Sequence, residues 1–115
     1  MTIRDLQPKL VWEIFDEITA VPRPSKHEEK IIEYLLDFAK KHNLEAERDQ
    51  IGNVVIRKAA TAGYEGVPTV ILQSHMEMVC EKNSDTVHDF MTEPIRTKIE
   101  DGWLKAEGTT LGADC

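Results

Sequence analysis

The chain has 115 residues, enough for one small domain and too few for two. It carries 14 basic against 21 acidic residues, a net charge of −7, and no basic face of the kind that phosphate binding needs, which argues against nucleic acid as a partner. No stretch is long and apolar enough to span a bilayer, and Met1–Ala20 is charged throughout and reads as no signal peptide. Cys80 and Cys115 are too few for a disulfide framework, so a reducing cytoplasm is the expected compartment.

Leu6, Leu10, Val11, Ile14, Phe15 and Ile18 recur at spacings of three and four and predict one apolar helix face. Pro22 and Pro24 remove backbone donors and force extended geometry before them, so this helix ends near Val21. Ser25 and Glu28 have the spacing of a capping box. Behind it Ile31, Ile32, Leu35, Leu36 and Ala39 predict a second amphipathic helix that fades around Asn43.

Strands are expected next. A short polar one over Glu45–Asp49 meets a Gly52-Asn53 turn signal and the apolar run Val54–Ile56. After a loop with Gly63, Gly66 and Pro68, the continuous run Thr69–Gln73 predicts a strand covered on both faces. Pro94–Ile99 and Trp103–Glu107 flank Asp101-Gly102, a hairpin signal, and Gly108–Cys115 is a glycine-rich loop. Two N-terminal helices packed on a mixed sheet make the expected class α/β.

His75 follows the expected buried strand directly, and in open α/β sheets functional groups gather at the carboxyl ends of strands. An imidazole there can coordinate zinc while a nearby carboxylate orients it. Asp114, on the glycine-rich loop, is a second candidate ligand. Two ligands do not complete a zinc site, which normally uses at least three. On residue type and spacing alone, His75 reads more readily as a hydrogen-bonded strand-end histidine than as a ligand, and Asp114 as a turn aspartate. Cys80 reads as a small buried apolar residue and not a ligand, Met76 and Met78 as core, and His27, His42 and His88 as solvated surface.

Several segments together resemble the aminoacyl-histidine dipeptidases. Pro22-Arg23-Pro24-Ser25-Lys26-His27-Glu28-Glu29 is similar to the loop after their first helix, and Gly52–Ile56 to their second strand. Gln73-Ser74-His75-Met76-Glu77-Met78-Val79-Cys80-Glu81-Lys82-Asn83 is similar to their first metal motif. His88-Asp89-Phe90 and Gly108–Asp114 match further segments in the same order, so the resemblance covers nearly the whole chain.

That resemblance implies zinc-dependent hydrolysis of dipeptides, especially Xaa-His, by an enzyme holding two zinc ions, with cobalt or manganese as alternative metals. It implies that His75 ligates one zinc, that Asp114 bridges both, and that Glu77 holds the catalytic position two residues after the histidine. It also implies that residues 1–115 are the N-terminal part of a metallopeptidase catalytic domain. The rest of that domain, with the general base and further ligands, and a lid domain used for homodimerisation would lie outside them. On that expectation the chain alone is inactive; the alternatives are a truncated pseudoenzyme and a non-catalytic metal-binding or interaction module.

Two departures stand out. The family has Asp where this chain has Glu77, and Asn where Cys115 stands, after a peptide bond that is cis in the family.

Overall fold

In the computed structural model, which describes residues 1–114, a 3₁₀ turn over Ile3–Asp5 leads through Pro8 into helix α1, Lys9–Thr19. The helix stops before the Pro22/Pro24 pair, and its last residue, Thr19, is buried with its hydroxyl donating to Asp16 O at 2.8 Å. Leu10 and Val11, on its expected apolar face, remain exposed.

Helix α2, Glu29–Lys41, buries Ile31, Ile32 and Ala39. Its C-terminus follows from Asn43, which takes a φ of 56°. Leu44 N–H then reaches back to Ala39 O at 2.8 Å and Asn43 N–H to Lys40 O at 3.2 Å, the pair of bonds that closes a Schellman motif. Tyr34 donates to Glu17 Oε2 at 2.7 Å and so ties α2 to α1. Burial, then the Glu17 contact, raises the Tyr34 phenol above its ordinary range.

The expected capping box does not form. Ser25 is drawn away into a parallel bridge between Pro24 and Met78, its N–H donating to Met78 O at 3.2 Å and its hydroxyl pointing to the same oxygen at 3.4 Å. The N-cap is Glu28, whose carboxylate turns back to accept the Lys26 N–H at 2.7 Å. A tertiary contact has outcompeted a local one.

The α/β class holds, but in place of one mixed sheet the described residues form two separate two-stranded antiparallel sheets. Strands β1, Glu45–Arg48, and β2, Val54–Arg57, pair with Glu45 opposite Arg57 and Arg48 opposite Val54. Their connection is organised by Asp49, whose carboxylate accepts from Ile51 N–H at 3.0 Å, Asn53 N–H at 2.9 Å and the Asn53 side chain at 2.7 Å. Strands β3, Thr97–Glu100, and β4, Trp103–Ala106, join through Asp101 and Gly102, both at positive φ as a tight two-residue hairpin requires. Ile95 N–H donates to Thr19 O at 3.0 Å, anchoring the approach to β3 on the end of α1.

Thr69–Gln73 does not form the buried strand its apolar run predicts. Neither sheet runs beside it, and Val70, Ile71 and Leu72 are 79%, 84% and 93% exposed. A single extended segment cannot satisfy its own backbone or cover its own side chains, so burial needs neighbouring strands that the described residues do not offer. The core is correspondingly thin: Ile3, Ile31, Ile32, Ala39, Met78 and Ile95, with Arg23 and His88 buried among the polar residues.

Candidate functional site

The residues with chemistry to offer meet where two irregular segments, 75–83 and 108–114, run together. Lys82 and Thr109 form an antiparallel bridge. Around it Asn83 N–H donates to Gly108 O at 2.8 Å and Thr110 N–H to Glu81 O at 2.9 Å. The Thr110 hydroxyl donates to Val79 O at 2.7 Å. Gly108, at φ +75°, lies so close to Thr86 that a Cβ would stand 2.2 Å from the threonine oxygen, so only glycine admits this approach.

Deeper in, Arg23 holds the same two segments. It is 2% exposed, and its guanidinium donates through Nη1 to Met76 O at 3.0 Å and through Nη2 to Gly112 O at 2.8 Å. Its backbone takes part as well, since Met78 N–H donates to Arg23 O at 3.0 Å. Pro24 biases the residue before it, Arg23, toward extended geometry, and Pro24 itself bridges to Met78. Sequence reasoning passed over this arginine; the only signal was a charged residue in a Pro-Arg-Pro frame.

His75 and Glu77 are directly engaged. His75 Nδ1 lies 2.9 Å from the backbone oxygen of Glu77 and 3.3 Å from its Oε1. A carbonyl can only accept, so Nδ1 carries the hydrogen and the lone pair of the neutral ring sits on Nε2. The side chains are 48% and 33% exposed, so Nε2 belongs to a half-open imidazole and not to a satisfied core histidine.

Asp114 is exposed at the end of the described segment, two residues beyond the Gly112 carbonyl that Arg23 grips. The two expected ligands therefore sit on segments fastened together in two places. The strand-end setting expected for His75 is absent, because the residues before it form no strand. Cys115 and its peptide bond to Asp114 lie outside the described residues.

The donor set suits a divalent metal in part. An imidazole fixed through Nδ1 and a carboxylate on an adjoining loop are the donors zinc takes. Among the described residues, however, no group of three or more His, Cys, Asp or Glu side chains gathers to hold an ion. His75 and Asp114 offer two donors of the kind zinc takes and do not amount to a complete site.

Other expectations fared unevenly. Met78 is core, at 3% exposure, while Met76 and Cys80 are half-buried; burial pushes the Cys80 thiol up, as suits an inert cysteine. His27 and His42 lie on the surface, the His42 ring tilted against Phe38 with centroids 4.3 Å apart. His88 does not: it is 8% exposed, packs edge-on against Phe90 at 4.6 Å, and has its Nδ1 3.5 Å from Glu93 Oε2. Phe90, two positions on, covers the ring that a loop assignment left to solvent. Among the described residues no helix is long and apolar enough to cross a membrane.

The chain is similar to known proteins over nearly its whole length. No protein-family model matches the chain. Over 112 residues, 97% of its length, it is 51% identical to the cytosol non-specific dipeptidase of Escherichia coli (strain K12). Its fold matches the crystal structure of aminoacylhistidine dipeptidase from Vibrio alginolyticus with a TM-score of 0.95 and 46% identity over 99% of the chain. The chain spans 23% of the length of each of these proteins.

Proposed function

We propose that this chain, a homologue of a segment of these bacterial dipeptidases, supplies part of the active site of a cytosolic, zinc-dependent dipeptidase. His75 would hold one zinc through Nε2 and Asp114 would bridge the pair, with cobalt or manganese able to substitute. The observation that carries this reading is the engagement of His75 Nδ1 by Glu77, which fixes the tautomer and leaves the other nitrogen for a metal.

Bound zinc supplies Lewis acidity at the scissile carbonyl. Glu77 keeps the imidazole oriented, and Arg23 and Thr110 keep the two ligand-bearing segments in register. Residues 1–115 then form the N-terminal part of the catalytic domain. The general base, the remaining ligands and a lid domain through which two copies associate belong to polypeptide beyond them. The substrate class is dipeptides, Xaa-His among them.

The test is zinc stoichiometry and Xaa-His hydrolysis in the protein as its gene encodes it, compared with His75→Ala and Asp114→Ala. Loss of bound zinc together with turnover in both variants is expected. Full zinc occupancy in both would overturn the ligand assignment.

A second reading, a pseudoenzyme or non-catalytic metal-binding module, is favoured by the lack of a three-ligand cluster among the described residues. On the first reading the 115-residue chain by itself binds zinc weakly and shows no turnover above a metal-only control. Robust hydrolysis by that chain would show that residues 1–115 suffice.

A further inference from the structure

We propose that Arg23 is a positioning residue for the metal-bearing segments: one buried guanidinium holds the His75–Glu77 segment and the Gly112–Asp114 loop at a fixed separation. This rests on the reading of His75 and Asp114 as metal ligands. The two bonds leave the same planar group, Nη1 to Met76 O at 3.0 Å and Nη2 to Gly112 O at 2.8 Å, so moving either carbonyl disturbs both. Each carbonyl is one or two residues from a ligand, so the relative position of the two donor side chains is set through this fork.

Three features suit the residue to that task. Arg23 is, with Ile31, the largest of the fully buried side chains, and it is pinned through its own carbonyl by the Met78 N–H, so the guanidinium starts from a fixed base. Gly112, at φ +74°, packs directly on it; a Cβ there would lie 2.6 Å from Nη2 and 3.1 Å from Met78 Sδ. A lysine cannot replace the arginine, because an ammonium is a compact point charge without the rigid planar fork. The contacts are to backbone oxygens, so the clamp acts on the path of the two segments whatever their side chains bind.

The experiment uses the protein as its gene encodes it and compares wild type, Arg23→Lys, Gly112→Ala and His75→Ala. Hydrogen–deuterium exchange reads the clamp with no metal present, and competition with a chromophoric chelator reads zinc affinity. For Arg23→Lys the expected result is faster exchange in residues 74–78 and 111–114 together, with α1 and α2 unchanged, and zinc binding weakened about 10- to 100-fold, as when groups that orient ligands are removed. Gly112→Ala, which displaces the carbonyl and leaves the charge in place, should act in the same direction, and it decides the matter if Arg23→Lys fails to fold. Unchanged zinc affinity in the arginine and glycine variants, with His75→Ala abolishing binding, would overturn the positioning role and leave the metal site standing. Zinc binding unaffected by His75→Ala would overturn the metal-site reading and this proposal with it. Exchange that rises throughout the chain would mark Arg23 as a general fold residue and refute the specific role.

Discussion

The sharpest quantitative consequence of the site concerns the Glu77 side chain. Glu77→Gln removes the charge and nearly preserves the shape. The imidazole has two acceptors, the Glu77 backbone oxygen at 2.9 Å and Oε1 at 3.3 Å, and only the longer contact belongs to the carboxylate. The shorter one survives substitution, so the tautomer that leaves the lone pair on Nε2 survives too. The ring is neutral and the side chains are 48% and 33% exposed, so the contact to the carboxylate is solvent-screened and contributes no more than the ~0.2–1 kcal/mol of exposed pairs. That corresponds to less than about tenfold in zinc affinity, below the 10- to 100-fold range typical of groups that orient a ligand. For the same reason Glu77→Asp, the acid that the dipeptidase resemblance implies at this position, should change turnover only a few-fold, because the longer side chain already folds back to the ring. The assay is chelator competition for zinc affinity and Xaa-His turnover at equal zinc occupancy, in the protein as its gene encodes it. A loss beyond about a hundredfold in Glu77→Gln would show that the carboxylate, and not the carbonyl, holds the histidine, and would refute the reasoning.

Three further outcomes follow from the fold. Ile31, at 2% exposure, is an anchor of a thin core, so Ile31→Ala should lower the unfolding free energy by about 2–5 kcal/mol in urea titrations. The Asp49 carboxyl is held below its ordinary range, first by the Asn53 side chain and then by backbone N–H groups of the turn. Its contribution is therefore complete above the unfolded-state value and lost as pH falls through the lower folded value, so the stability gap between wild type and Asp49→Ala should close in acid and stay constant around neutrality. Val70, Ile71 and Leu72 present a bare apolar edge, and Ile71→Lys should reduce concentration-dependent association of the 115-residue chain in light scattering; no change would mean the segment is not adhesive.

What was legible in the sequence was local. The two helices, the stop imposed by Pro22 and Pro24, the end of α2 near Asn43 and both hairpins follow from spacing and turn chemistry, and they formed within about three residues of expectation, although Leu10 and Val11 on the expected α1 face are exposed. The failures share one physical cause: a residue took a distant partner, or lacked one. Ser25 gave up its cap for Met78. His88 was buried by Phe90. Thr69–Gln73 has the composition of a covered strand, and composition records only what a segment needs; it cannot supply the neighbours that would meet the need.

The candidate site divides along the same line. The candidates His75, Glu77 and Asp114 came from resemblance to known motifs, because such motifs name particular side chains. Arg23 and Thr110, which tie together the segments carrying those candidates, did not: each acts on backbone oxygens far away in the chain, and a carbonyl carries no residue type to recognise. Glu77 shows the same limit from the other side. Side-chain length alone suggests that glutamate in place of aspartate pushes the carboxylate past the imidazole. The structure instead has the backbone carbonyl of residue 77 take the Nδ1 hydrogen while the side chain bends back. A requirement that looks like one for a particular acid becomes one for a particular chain path, and that path is set where Arg23 bonds to Met76.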